Sequence, residues 1–401
     1  MSKQKFYIVF AVLLTLTFAT KALASLTFSA SAITGNVAST IDLGSGNALS
    51  LQTTGNGTIS TGTGLFTTGG ALTVTGAINT LTAAGYQING TVVVAMPAGN
   101  NFFLGTNPAG LDSVNAVSNT LVGLSAGAAL TTGFQNVFLG KGAGIATTTG
   151  LNNLFVGLGA GQGNTTGSSN TYIGLNAANI LTAGTNNVFV GQQTGNAMTS
   201  GSSNTFVGIQ AGSTGTGGSN NTFLGKSAGA PDTGDNNVFI GYLTGFLNTT
   251  GTANTFIGQQ AGGVFAGGNT TGSNNIFIGQ GSGAGNSTGS NNTLIGVSAN
   301  TASGSLTNAT AIGYSAIVGA SNSLVLGGTG ANAVNVGIGT TTPNANAILD
   351  VTSTTKAFMP PRMTTTQRDA IASPTAGMVI YNTSTNKLNV YTTVWEAVTS
   401  S

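Results

Sequence analysis

The sequence predicts an all-β protein built as a parallel β-solenoid with coils of about 17 residues, and three observations carry that prediction. A block of Asn, hydrophobic residues and Gly recurs between Asn101 and Gly327. Charged residues make up only 4% of the chain and glycine 64 of its 401 positions, yet 40% of residues are hydrophobic and stand in register with the repeat. Repeats this short cannot bury an apolar face alone and must stack on their neighbours.

The block-ending glycines are Gly105, Gly123, Gly140, Gly157, Gly174, Gly191, Gly208, Gly225, Gly241, Gly258, Gly279, Gly296, Gly313 and Gly327. Most gaps are 17; the departures are 18 at the start, 16 before Gly241, 21 before Gly279 and 14 before Gly327. Before each Gly stand β-branched, aliphatic or aromatic residues, the composition of a short strand. Gly, Asn, Ser and Thr bracket it, as in Gly157-Leu158-Gly159-Ala160-Gly161, and these residues turn easily and tolerate left-handed backbone.

A structural ladder is expected from the residues that recur in one phase. They are Asn136, Phe138 and Gly140; Asn153, Phe155 and Gly157; Asn170, Tyr172 and Gly174; Asn187, Phe189 and Gly191; Asn204, Phe206 and Gly208; Asn221, Phe223 and Gly225. Phe239 and Gly241, Phe256 and Gly258, and Phe277 and Gly279 continue it. Asn in one phase stacks its amide on the next coil's amide, as where identical segments pile up, though Asn is also a common turn former.

Side chains alternate along a strand, so the neighbours of Phe206 point opposite to Phe206 itself, and both faces are apolar in most repeats. A thin solenoid buries one face and wets the other. The second apolar face therefore predicts self-association, with the Phe column covered by another chain; the alternative is a strand that bends at Gly so that both faces share one core.

Residues 1–24 read as a secretory signal: Lys3 and Lys5 precede the apolar run Phe6 to Ala19, and Ala22-Leu23-Ala24 fits cleavage between Ala24 and Ser25. An extracellular or cell-surface location is the expectation. Loss of Lys3, Lys5 and Lys21 moves the formal charge from +2 to −1, which leaves no electrostatic footprint for nucleic acid. The apolar run is short for a spanning helix, and no second segment suits one, so no integral membrane span is expected after cleavage.

Three further regions follow. Residues 25–99 are Thr- and Gly-rich with short alternating runs; residues 100–339 hold the solenoid; residues 340–401 change texture, with Lys356, Arg362, Arg368, Asp369 and Lys387, the four prolines Pro343, Pro360, Pro361 and Pro374, and the lone Trp395. This last region reads as a small α+β or β cap. Thr364 to Ile371 is expected to form a short helix with a Thr cap, and Met378–Tyr381 and Lys387–Tyr391 to form two strands joined by the turn Asn382 to Asn386.

Chemical motifs are sparse. With no His and no Cys, His-based catalysis, thiol chemistry and Cys/His metal ligation are excluded, and no cofactor or metal site is expected. Gly225-Lys226-Ser227 echoes a phosphate-binding loop, but that motif's first glycine would fall on Asn220. Gly279-Gln280-Gly281-Ser282-Gly283-Ala284 lacks the strand-then-helix context of a dinucleotide site. Asp232 and Asp235 share one turn and have no third acidic neighbour in the repeats for ion binding or glycoside hydrolysis. A non-enzymatic protein is expected.

The stretch Ala309-Thr310-Ala311-Ile312-Gly313-Tyr314-Ser315-Ala316, with Ser321-Asn322-Ser323-Leu324-Val325-Leu326-Gly327, resembles the head repeats of YadA-like trimeric autotransporter adhesins. Longer repeats such as Asn221-Thr222-Phe223-Leu224-Gly225-Lys226-Ser227-Ala228-Gly229 are similar to those of tail-fibre-domain proteins of environmental bacteria. Gly85 to Val94, Gly337 to Pro343, Ala347 to Val351 and Pro360 to Thr365 are similar to segments flanking such repeats, so the resemblance covers residues 85–395. It implies a left-handed β-roll, a homotrimer and display at a surface or fibre tip. The end from Val394 to Ser401 supplies no set of membrane strands, which withholds the family's membrane anchor from the inference, and nothing after Trp395 resembles a self-cleaving chaperone.

The expected function is a secreted structural fibre or adhesin of the cell surface, with a surface glycan or a host or matrix component as partner. A phage-type receptor-binding tail fibre shares the repeats, but residues 3–24 favour export. An ice- or polysaccharide-binding solenoid would need a flat Thr array, and the Thr column on the strands is interrupted by Val137, Leu154, Val188 and Ile276. Recurring loops such as Thr165-Thr166-Gly167-Ser168 and Thr249-Thr250-Gly251-Thr252 suggest weak multivalent contacts.

Overall fold

The structure is a computed structural model and describes residues 86–88, 91–95, 100–105, 116–265 and 267–399, all within the compact unit Ile78–Ser401. The expected signal and its Ala24/Ser25 junction, and the Thr/Gly-rich region up to Gly85, lie outside the described residues.

One sheet of 16 strands dominates, and its strand order follows chain order. Tyr86–Ile88, Thr91–Ala95 and Phe102–Leu104 pair antiparallel; from Phe102–Leu104 onward each strand pairs parallel with the next coil's, ending at Leu324–Leu326. Every block-ending glycine from Gly105 to Gly327 directly follows one of these strands. Register is uniform: Phe138 stands against Phe155, Phe206 against Phe223 and Phe256 against Phe277. The protein is thus a parallel β-solenoid, nearly all β.

Glycine is obligatory at the strand's end. Gly157 has φ +132°, and a Cβ there would lie 2.5 Å from the carbonyl oxygen of Gly174 in the next coil. A side chain would push two stacked coils apart. Each coil also turns through a left-handed residue just before the ladder asparagine: Asn152, Ser169, Asn186, Ser203 and Asn220 have φ of 58°, 59°, 58°, 59° and 60°.

The Phe column lies inside its own coil, which corrects the expectation that another chain covers it. Phe138, Phe155, Tyr172, Phe189, Phe206, Phe223, Phe239, Phe256 and Phe277 are all buried within one chain, and consecutive rings stack at 4.5–5.2 Å. That spacing is the separation of adjacent strands, so the stack follows from the register. Room for the ring comes from the Ala-Gly pair after the strand. At Gly144, φ +57°, a Cβ would sit 2.6 Å from Phe138 Cε2. Towards the C-terminus the inward residue shrinks to Leu294, Ala311 and Val325, and the last coil, ending at Gly327, is shorter than the rest.

Beyond the solenoid, Val336–Ile338 pairs parallel with Leu349–Val351, and Arg362–Met363, Val379–Asn382, Lys387–Tyr391 and Trp395–Ala397 form a four-stranded sheet. Neither sheet adds a strand to the solenoid's edge at Leu324–Leu326. The expected helix forms at Thr365–Asp369, with Thr364 as its cap: its hydroxyl accepts from the N–H of Gln367, while the Gln367 side chain accepts from the N–H of Thr364. Among the described residues no helix is long and apolar enough to cross a membrane.

Candidate functional site

Six features position the chemistry of this surface: two interior polar columns, a column of hydroxyls, an apolar outer face, a C-terminal segment with almost no core, and a lateral groove.

The ladder asparagines are buried and fully engaged. The N–H of Asn153 donates to Asn136 Oδ1 at 3.0 Å, and its Nδ2 donates to the same oxygen at 3.1 Å and to the Gly167 carbonyl at 2.9 Å. The backbone link repeats through Asn170, Asn187, Asn204 and Asn221 to Ala309, whereas the amide-to-amide contact links the first coils, the last of them from Asn170 Nδ2 to Asn153 Oδ1 at 3.2 Å. Such a column satisfies polar groups that burial would otherwise penalise.

A second interior column lies behind the first and escapes a reading of the strands. Asn248 Nδ2 donates to Asp232 Oδ1, Asn269 Nδ2 to Asn248 Oδ1 at 2.7 Å and Asn286 Nδ2 to Asn269 Oδ1 at 3.0 Å. Asp232 also accepts from the N–H of Gly234 and from Asn237 Nδ2 at 3.0 Å. Its burial pushes the carboxyl up to about 7, against the downward pull of those three donors. Asp235 instead is exposed and accepts from the N–H of Ser219 at 2.7 Å, so the two carboxyls face different surroundings. Counting seven residues from the block-ending glycine finds part of the column, since Asp232, Asn248 and Asn286 fall seven after Gly225, Gly241 and Gly279, while the extra residues of the long coil shift Asn269 to eleven after Gly258.

The recurring Thr loops are mostly occupied by the fold. Thr148, Thr165, Thr249 and Thr270 each donate a hydroxyl to the carbonyl of the equivalent residue one coil on, at 3.0–3.1 Å. The following residues, such as Thr166, Thr250 and Thr271, are exposed on these turns.

Outside the sheet runs an apolar ridge. The residue after the inward ring is Leu, Val or Ile in every coil, from Leu104 through Leu139 and Leu224 to Leu326, and each stays at least partly exposed. Coils stacked in register align these side chains into one continuous stripe.

The C-terminal segment carries apolar side chains with nothing to bury them. After Val318, Ile380 is the one buried apolar side chain among the described residues, while Ile348, Phe358 and Met359 are 70%, 70% and 66% exposed. A small polar cluster fixes the sheet: Arg368 pairs with Asp369 at 2.8 Å, donates to Asn389 Oδ1 at 3.2 Å and lies 5.9 Å from the Trp395 ring, which meets Tyr391 edge-on.

A lateral groove of about 440 Å³ opens beside the short coil, lined by Gln210, Ser213, Thr214, Ser227, Ala230, Pro231, Phe246, Leu247 and Thr249. Among the described residues no group of three His, Cys, Asp or Glu side chains is placed to hold a metal ion.

Comparison with known proteins gives one match: residues 337–401 fit the family described as phage tail like trimerisation region. No curated protein and no solved structure matches the chain. Together, the trimerisation-region match and the β-solenoid fit a fibre-like structural protein.

Proposed function

We propose that the chain is one subunit of a homotrimeric, non-enzymatic fibre that is exported and serves at the cell surface as a structural or adhesive element. The observation that carries this reading is the coreless C-terminal segment. A sheet and helix with Ile380 as their one buried apolar side chain cannot offset the entropy of ordering the chain. Three copies brought together at residues 337–401 would supply the missing core, in keeping with the trimerisation region matched there. The apolar ridge from Leu104 to Leu326 then continues the contact along the solenoid, and it is the YadA-like arrangement that such packing would resemble. Light scattering on the full chain tests the reading: the expected mass is three times that of the chain, and a soluble monomer refutes it.

The description of the matched family favours a second reading, a receptor-binding fibre of a phage or phage-like particle. Export separates the two. Mass spectrometry of the protein from producing cells should find it outside the cytoplasm with Ser25 as its first residue; intact Met1–Ala24 on particle-associated protein supports the phage reading instead.

A further inference from the structure

The solenoid breaks its period twice in close succession, in the 16-residue coil ending at Gly241 and the 21-residue coil ending at Gly279. The coil between them carries two large apolar residues, Phe246-Leu247, at the lateral corner, where other coils carry at most one, as in Gln162-Gly163, Asn196-Ala197 and Asn179-Ile180. Pro231 occupies the same corner of the short coil. In the long coil the extra residues form a closed loop, with the N–H of Asn269 donating to the Gly262 carbonyl at 2.8 Å and that of Gly268 to the Phe265 carbonyl at 3.1 Å. Phe265 stands at its tip, 79% exposed, and Leu247 packs against Gly268 at its base. The groove of about 440 Å³ opens at this corner, within the range of small-molecule sites.

The walls of the groove differ in chemistry. Pro231, Phe246 and Leu247 supply a half-buried apolar platform, and Gln210, Ser213 and Ser227 supply an amide and two hydroxyls. Gln210 Nε2 donates to Gln193 Oε1 at 3.2 Å, which holds the amide in place and leaves its own carbonyl oxygen as an acceptor. No charged side chain lines the groove. An anion would find no cation there, and a peptide strand would find no sheet edge, because adjacent coils already pair with each other. A pyranose ring fits both walls: its C–H face lies on an apolar platform and its hydroxyls exchange hydrogen bonds with amide and hydroxyl groups, with no charge to satisfy.

We propose that this groove is a binding site for a neutral saccharide, one per subunit. The inference deepens the adhesive reading of the fibre and rests on it for the benefit of three sites acting together. It places recognition at the break in the repeat and not in the repeated turns, whose hydroxyls largely serve the coil-to-coil ladder.

The test uses the full-length protein against immobilised neutral oligosaccharides built from glucose, galactose, mannose or N-acetylglucosamine, with sulfated and uronic acid oligosaccharides as counter-probes. Two variants accompany it: Ser213→Trp, which fills the groove from its exposed rim, and Phe246→Ala, which removes the platform. At least one neutral class should bind, and both variants should weaken it by about tenfold or more, with an unchanged circular dichroism spectrum and unchanged mass by light scattering. Binding of no neutral class, preference for the anionic probes, or equal binding by Ser213→Trp would overturn the proposal. Light scattering on the same samples keeps the two readings apart: a monomer whose saccharide binding is lost in Ser213→Trp retains the site and refutes only the trimer.

Discussion

Asp232 accepts a hydrogen bond on Oδ1 from the side-chain amide of Asn248, one coil further along the solenoid, at 2.5 Å. A carboxyl therefore stands in a column otherwise built from amides, with three neutral donors and no cation. The column explains why the acid is buried, and its burial has a consequence for pH.

The carboxyl is raised from 3.8 to about 7 in the folded chain. Between those values the folded state holds a proton that the unfolded state has released, so the contribution of Asp232 to stability is greatest below about pH 4, falls as pH rises to about 7, and then levels. The full effect has an upper bound of roughly 4.5 kcal/mol, taking about 1.4 kcal/mol for each pH unit. Unfolding midpoints measured from pH 4 to pH 8 should fall over this window, and Asp232→Asn should flatten the slope and unfold at a higher temperature than the parent at pH 8. An identical profile in the variant would contradict the assignment.

Much of this fold was legible because the repeat is strict. The glycines from Gly105 to Gly327 mark strand ends without exception, and Thr364 with Gln367 marks the one described α-helix. What alternation alone could not settle was which face turns inward. Parity places Phe206 opposite Thr205 and Val207 but is silent on which side the coil closes; the deciding cue is Ala211-Gly212, whose missing bulk admits the Phe206 ring. Asp232 was obscured for a different reason. Its coil is one residue short, and the missing residue lies after position 232, so the acid reads as a turn residue unless it is counted forward from Gly225.

Removing one rung of the Asn column should cost more than a surface change. Asn204→Ala leaves the N–H of Asn221 and the carbonyl of Gly218 without their partner, each contact being 2.9–3.0 Å in the folded chain. Unsatisfied buried groups cost about 1–3 kcal/mol each. Hydrogen exchange should show the loss concentrated in the coils containing Asn187 and Asn221, because each coil is held chiefly by its neighbours. Uniform loosening across all coils would argue that the column is not a nearest-neighbour device.

Ala253 occupies the left-handed corner, φ 55°, where the other coils carry Asn, Ser or, at Gln135, Gln. An alanine there bears about 1 kcal/mol of strain that Asn tolerates better. Ala253→Asn, on an exposed position, should therefore raise the unfolding midpoint, with a gain of roughly 0.5–1 kcal/mol by denaturant titration. A neutral or negative change would indicate that the neighbouring coils, and not the local backbone, set the conformation.

The last prediction separates the ridge from the C-terminal segment as sources of assembly. Val207→Lys places a charge on the outer face beside the Phe206 ring without entering the coil, whereas Phe358→Ser with Met359→Ser removes apolar surface from the segment that buries almost none of its own. If residues 337–401 nucleate the trimer, the double serine variant should sediment as a monomer at micromolar concentration while keeping the β-rich spectrum of the solenoid. The Val207→Lys variant should stay trimeric but dissociate at lower denaturant, since three like charges facing a common axis repel and lose solvation. The reverse outcome, in which the ridge variant is monomeric and the double serine variant is trimeric, would move the seat of assembly from the C-terminal segment to the solenoid itself.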